Sequence, residues 1–243
     1  MLSLNHAKIS VGKKTIIKDF SFTFEKGKTY VVMGPNGSGK STLAYSIMGH
    51  PTYELSASKK QKKSPLVMEK TDLADLDAQK RSDAGIFLSF QSPLALSGVT
   101  IFQLLHVAMS GKKDPLKVRQ DIVKFAKMLQ IPEGLLSRSL NDGASGGERK
   151  KLEVLQAAVL DKQVQIFDEI DTGVDVDALK TIATFLKKNQ KDKTYIIITH
   201  YNRILKYLRP DTVLVLANGQ LKKTGDYKLA QKIEKSGYAT ISQ

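Results

Sequence analysis

Gly34-Pro35-Asn36-Gly37-Ser38-Gly39-Lys40-Ser41 concentrates glycine, a lysine and a hydroxyl between an apolar run, Thr29–Met33, and a stretch of helical periodicity. Those residue types suit a phosphate chain. Glycines let successive backbone N–H groups turn inward on an anion, and the helix that follows adds its partial positive charge. Lys40 reaches terminal phosphates, while Ser41, followed by Thr42, offers a hydroxyl for Mg²⁺. A second constellation is Val164-Gln165-Ile166-Phe167-Asp168-Glu169, an apolar run ending in two acids. At the carboxyl edge of a sheet, Asp168 would hold Mg²⁺ through water and Glu169 would polarise a water for attack on a γ-phosphate. A third is Ala144-Ser145-Gly146-Gly147-Glu148, where a hydroxyl and glycine N–H groups open a helix and make a second anion site. Each of the last two is commonplace alone, and their order along the chain gives them weight.

Three kinds of element must position these groups. Leu2–Ile9, Ile16–Phe24 and Thr29–Met33 read as strands, and Lys40–Met48 as a helix stopped by Gly49-His50-Pro51. Residues 54–83 read as an irregular or hairpin segment, and Gly85–Phe90 as a strand. Ile101–Met109 and Leu116–Leu129 show helical periodicity around the turn formers Gly111 to Pro115. From Gly147 onward the pattern is helix Glu148–Leu160, strand Val164–Asp168, helix Asp177–Asn189 and strand Thr194–Thr199. Such alternation implies parallel βαβ units with right-handed crossovers.

In this order the motifs resemble the ABC ATPases, whose signature normally reads Leu-Ser-Gly-Gly-Gln. The resemblance implies ATP and Mg²⁺ as cofactors and an ATPase activity, with each ATP sandwiched between two copies in a head-to-tail dimer. It assigns Gln91, after Ile86–Phe90, to the link between ATP, its metal and the helical insertion. Asp171-Thr172-Gly173-Val174-Asp175 becomes the dimer-crossing loop and His200 the γ-phosphate histidine. The expected fold is α/β, a P-loop NTPase of the ABC-ATPase kind, with a parallel-sheet core, an N-terminal antiparallel β portion and a helical insertion. Residues 1–90 and 148–243 form the catalytic core, and 91–147 the helical subdomain ending in the signature motif.

Further segments are similar to the SufC family, the ATPases of SUF iron–sulfur cluster assembly. They are Gly49-His50-Pro51-Thr52-Tyr53-Glu54, Gly85 through Pro93, Ser145-Gly146-Gly147-Glu148-Arg149-Lys150-Lys151, Asp175 through Lys180, Thr199-His200-Tyr201-Asn202-Arg203-Ile204-Leu205, and Gly225 through Tyr238. That resemblance implies SufB/SufD-like scaffold proteins as partners; the competing reading is the ATP-binding subunit of an ABC transporter. Departures from the family pattern are lysines where a glycine-marked hairpin is usual in 54–70, a short 109–118 segment, Ala144 before Ser145, and Gln165 in a normally apolar strand. If buried, that amide needs a partner. Near Val11, where adenine stacks in such proteins, the chain offers only an aliphatic face, and Tyr30 and Tyr45 suit core packing.

Bulk properties narrow the classes. The 243 residues contain no cysteine, so disulfides, thiolate ligands and thiol nucleophiles are excluded. The N-terminus lacks the pattern of a secretory signal, and no apolar run approaches the length of a membrane span, which points to a cytoplasmic protein without a membrane span. A net charge of +14 invites nucleic acid. Clusters such as Lys59-Lys60-Gln61-Lys62-Lys63 lack interleaved aromatics, however, and no specific nucleic-acid partner is expected.

Overall fold

Alternation of side chains along five buried strands divides the apolar residues between two cores, one on each face of a mixed sheet. The computed structural model describes residues 1–58, 63–93, 95–200 and 203–238; Lys59–Lys62 of the lysine cluster and Tyr201-Asn202 of the SufC-like segment lie outside them. The chain opens with β1 (Leu2–Val11), β2 (Lys14–Phe24), β3 (Thr29–Met33) and α1 (Lys40–Met48). It continues through β4 (Glu54–Ala57), β5 (Leu66–Met68), β6 (Thr71–Asp72), α2 (Ala78–Asp83) and β7 (Ile86–Ser89). A mainly helical stretch follows: β8 (Leu96–Thr100), α3 (Ile101–Ala108), α4 (Pro115–Met128), α5 (Glu133–Ser137) and β9 (Ser139–Leu140). Next come α6 (Gly146–Leu160), β10 (Val164–Asp168), α7 (Val176–Asn189) and β11 (Thr194–Ile198). The described chain closes with β12 (Thr212–Ala217), β13 (Gln220–Gly225) and α8 (Tyr227–Ser236).

The sheet order is β6-β5-β1-β2-β13-β12-β3-β11-β10-β7, with β4 also paired to β1. Strands β12, β3, β11, β10 and β7 are parallel, whereas β1 pairs antiparallel with β2, β4 and β5. On the parallel strands Val31, Met33, Phe167, Tyr195, Ile197, Val213 and Val215 face one core, built with α3 to α8. Their neighbours Tyr30, Val32, Ile166, Ile196, Ile198, Leu214 and Leu216 face the other, against α1, β1 and β2. Both faces are covered, so these strands are continuous hydrophobic runs, as parallel sheets require.

The helical periodicities at 101–109 and 116–129 become α3 and α4. Thr100 and Gln103 form a capping box on the first; Asp114 caps the second with Pro115 at its first turn. The α6 helix begins two residues before the expected Glu148, because Ser145 caps it. The segment 54–83, read as irregular or hairpin, does contain a short hairpin, β5–β6, with Val67 opposite Asp72 and Met68 opposite Thr71. Its main strands β4 and β5 do not form a hairpin with each other: both pair with β1, at Ala7–Ser10 and Leu2–Leu4 respectively. It also contains α2, whose sequence Ala-Gln-Lys-Arg-Ser-Asp has no apolar stripe to signal a helix.

What anchors α2 is Arg81, only 3% exposed. Its guanidinium donates to the carbonyls of Leu76 (2.7 Å) and Ala74 (2.7 Å) and to Ser46 (2.6 Å) and Ile47 (3.1 Å) at the end of α1. One side chain thus satisfies backbone groups that the helix end leaves open. Arg81→Met keeps the bulk and removes the donors, orphaning buried carbonyls. It is expected to lower stability by about 3 kcal/mol or more, read as a fall in the urea midpoint at unchanged slope.

Candidate active site

The loop after β3 holds the amides of α1 open to a cleft of about 820 Å³. Gly39 caps α1 at φ 102° and the helix has no side-chain cap, so its first-turn N–H groups keep no side-chain acceptor. Gly34 is required by close approach: a Cβ there would lie 2.0 Å from the carbonyl oxygen of Leu216 on β12. Pro35, Asn36, Gly37, Gly39, Lys40, Ser41 and Thr42 line the cleft, while Ser38 is buried beside them with its hydroxyl unpartnered among the described residues. Lys40 is 5% exposed and donates to the carbonyls of Gly34 (2.9 Å) and Pro35 (3.0 Å). Burial pulls its pKa down to about 8, against the attraction of Glu169 and Asp168.

Strand β10 delivers the two acids to the opposite wall. Asp168 is fully buried, and among the described residues neither carboxylate oxygen has a hydrogen-bond partner. Burial pushes its pKa up to about 6, with the Ser41 hydroxyl tempering the shift and the Glu169 charge adding to it. Glu169 sits at φ 52°, a left-handed conformation rare for a glutamate, pinned by its N–H bond to Ile198 (2.9 Å). The turn aims its carboxylate into the cleft, where Gln91 Nε2 (2.9 Å), His200 Nε2 (3.1 Å) and Thr172 Oγ1 (3.4 Å) converge on it. Behind Glu169, Asp171 is buried and accepts from Thr199 Oγ1 at 2.7 and 2.9 Å.

The Gln91 backbone is fixed by a buried ion pair on α6. Lys150 Nζ donates to the carbonyls of Phe90 (3.1 Å) and Gln91 (3.0 Å) and to Glu153 (3.2 Å), whose other oxygen accepts the Phe90 N–H at 3.0 Å. At the head of the same helix Ser145 and Glu148 form a capping box. Glu148 accepts the Ser145 N–H (2.8 Å), which holds its carboxyl below the usual range, and the Ser145 oxygen accepts the Glu148 N–H (3.3 Å). Gly146 packs against the 171–175 loop: a Cβ would lie 2.5 Å from the Gly173 carbonyl oxygen. Ser145, Gly146 and Gly147 do not line the cleft that holds Lys40 and Glu169.

Residues 17–172 match the ABC transporter family. The chain belongs to that family. It is an ABC ATPase with the P-loop NTPase fold expected from its motifs. A "Probable ATP-dependent transporter ycf16" of Pyropia yezoensis is 38% identical over 252 residues, covering 100% of this chain and 98% of the relative. "ABC transporter I family member 6, chloroplastic" of Arabidopsis thaliana is 38% identical over 245 residues, covering 97% of this chain and 71% of the relative. Among solved structures, a dimeric post-hydrolysis ATP-binding cassette bound to ADP and Pi superimposes with a TM-score of 0.76 at 18% identity, covering 93% and 98% of the two chains.

In this ABC ATPase the cleft gathers Lys40, Ser41, Gln91, Glu169 and His200. The oxygen set of Asp168, Ser41 and the Gln91 amide fits Mg²⁺, and the unpartnered buried carboxylate is the observation that says so. Four further residues line the cleft: Lys14 and Ile16, which no motif marked, and Thr172 and Tyr238, which lie in motif segments but had no role in the cleft assigned. Lys14 and Ile16 come from β2, Thr172 from the loop after Glu169, and Tyr238 follows α8. The Tyr238 hydroxyl accepts the Gly34 N–H at 3.1 Å from 204 residues away, a pairing that no local pattern could signal. Tyr30 is core, as expected. Tyr45 is only half-buried and stacks on Tyr53 and Phe90, so it does not belong wholly to the core. The Gln165 amide finds its partners in the carbonyls of Ala157 (3.2 Å) and Lys162 (3.1 Å).

The raised pKa of Asp168 gives a signed pH effect. Folded protein binds this proton more readily than unfolded chain, so the cost of burying the carboxylate is absent below about pH 4 and complete above about pH 6. In EDTA without nucleotide, Asp168→Asn should be more stable than the parent by about 2 kcal/mol at about pH 7.5, with the gap closing toward about pH 4. Denaturant titrations across that range check it. Lys40→Ala should weaken nucleotide binding about ten- to a hundredfold. Glu169→Gln should keep binding and lose at least about a hundredfold in turnover. Nucleotide titration beside phosphate release separates the two roles; equal loss of affinity in both variants would contradict them.

Proposed function

We propose that this chain is the ATP-hydrolysing subunit of a SUF-type iron–sulfur cluster assembly system, acting in the cytoplasm on a SufB/SufD-like scaffold as a transient head-to-tail pair. The observation carrying the paired mechanism is the absence of Ser145, Gly146 and Gly147 from the cleft that contains Lys40, Gln91, Glu169 and His200. A second copy would bring its own Ser145 site to the γ-phosphate, as the dimeric form of the solved cassettes supports.

In this reading the loop amides and Lys40 bind the phosphates of ATP, with Gly34 to Thr42 as the cradle. Glu169 orients and polarises the attacking water, His200 contacts the γ-phosphate, and Gln91 senses both through its bond to Glu169. Ser41, Gln91 and Asp168 would hold Mg²⁺, directly or through water. The bound ion supplies charge neutralisation at the terminal phosphates. Residues 91–147 serve as the helical subdomain and residues 1–90 and 148–243 as the catalytic core.

The SUF assignment rests on the SufC-like segments, and two residues of one of them have concrete roles: Glu148 completes the cap on α6 and Lys150 anchors Gln91. A transport subunit is the second reading, supported by relatives named as transporters, including a "Probable ABC transporter ATP-binding protein" of Streptococcus pyogenes at 37% identity. No helix among the described residues is long and apolar enough to cross a membrane, so transport would require a separate membrane partner. Co-purification discriminates the readings, through a cysteine-containing scaffold or a membrane permease. For the paired mechanism, specific activity of the isolated chain should fall on dilution, rise when a scaffold holds two copies, and collapse in Ser145→Arg. Full activity of Ser145→Arg, independent of concentration, would refute the shared site.

A further inference from the structure

The middle of α6 buries a lysine and a glutamate side by side. Lys150 and Glu153 are 4% and 5% exposed and pair at 3.2 Å. Taking two charges out of water is costly, and an apolar pair of similar volume usually serves a fold as well or better. The cost is visible at Glu153, whose carboxyl burial lifts above its usual range against the pull of Lys150. Stability therefore does not account for the pair.

What it holds is one short stretch of backbone. One Glu153 oxygen accepts the Phe90 N–H at 3.0 Å, and the other accepts Lys150. The remaining protons of the ammonium go to the carbonyls of Phe90 (3.1 Å) and Gln91 (3.0 Å), so all three of its donors are used. Strand pairing does not fix these two residues, because the ladder between β7 and β10 stops at Ser89 opposite Phe167. Beyond the clamp, the Phe90 ring stacks on Tyr45 at 6.1 Å and the Gln91 N–H meets the Tyr45 hydroxyl. From this anchored backbone the Gln91 side chain crosses to Glu169, Nε2 to carboxylate at 2.9 Å. Bonded groups thus run without a break from Glu153 on α6 to Glu169 after β10. Neither Lys150 nor Glu153 lines the cleft.

We propose that Glu153 is a positioning residue for ATP hydrolysis: through Lys150 and the Phe90 N–H it sets where the Gln91 amide meets Glu169. The inference rests on the reading of Gln91 and Glu169 as groups of the reaction, given above. Because Glu153 reaches the cleft through Gln91, its loss affects turnover and leaves the phosphate cradle of Gly34 to Thr42 intact.

The test compares Glu153→Gln, the combination of Lys150→Met with Glu153→Leu, Gln91→Ala, and all three replacements together, in the full chain at one fixed protein concentration. Phosphate release gives kcat and KM, calorimetric titration gives ADP affinity, and urea titration gives stability. The combined variant removes the clamp without changing the net charge, and it stays informative if Glu153→Gln, which strands a buried lysine, fails to fold. Its kcat should fall about tenfold or more, since small misplacements at a reacting centre are expensive. Its KM and ADP affinity should stay within about twofold of the parent, and its urea midpoint should match or exceed the parent's. Added to Gln91→Ala, the same replacements should lower kcat no further, because the side chain they position is already gone. Parental kcat in the combined variant, or losses that add to that of Gln91→Ala, would overturn the proposal and leave the roles of Gln91 and Glu169 standing. Parental kcat in Gln91→Ala would overturn those roles and the proposal together.

Discussion

Parallel registry among three strands is the constraint on which the site depends. Ile198 of β11 pairs with both Val32 of β3 and Asp168 of β10, so the three strands end at one level. Each loop leaving that level carries part of the chemistry: Gly34–Lys40 from β3, Glu169–Asp175 from β10, His200 from β11. A one-residue slip in any pairing would turn its strand's buried residues to the wrong face and displace its loop as well. The two cores police that registry, since each strand feeds both. Catalytic geometry is therefore maintained by packing at some distance from the cleft.

Within the cleft, charge is left deliberately incomplete. Lys40 and Asp168 are both buried, yet they are not paired with each other: Lys40 bonds to carbonyls of its own loop, and Asp168 has no cation partner among the described residues, only the Ser41 hydroxyl beside it. Burial drags both toward neutrality, the lysine down and the acid up. In the proposed function, a triphosphate with its divalent cation would supply a partner for each. The empty protein stores this mismatch as lost stability, and ligand binding recovers it.

Much of this arrangement is legible in the sequence because its determinants are local. The glycine loop, the acids closing an apolar strand and the serine-glycine turn before α6 each declare themselves within a few residues. Legibility fails where the determinants are distant or lack periodicity. Helix α2 has no apolar stripe and depends on Arg81 reaching carbonyls of another helix. The irregular or hairpin reading of 54–83 could not foresee that β4 and β5 each pair with β1, whose length offers two places to pair. Tyr238 and Ile16 enter the cleft only through tertiary folding. The buried Lys150–Glu153 pair, spaced three apart on α6, reads in sequence as an ordinary surface ion pair.

The close approach of Gly146 to the Gly173 carbonyl also limits how this protein can diverge. One residue away Thr172 touches Glu169, and one residue the other way Ser145 begins the surface outside the cleft. A side chain at position 146 would push Gly173, and with it the threonine beside Glu169. Substitutions that retune the outer surface through this contact therefore alter hydrolysis at the same stroke, and selection sees both effects together. Lineages of such a protein are free to vary at the periphery of α3 and α4, while the stretch from Ser145 to Gly147 must change in concert with the 171–175 loop or not at all.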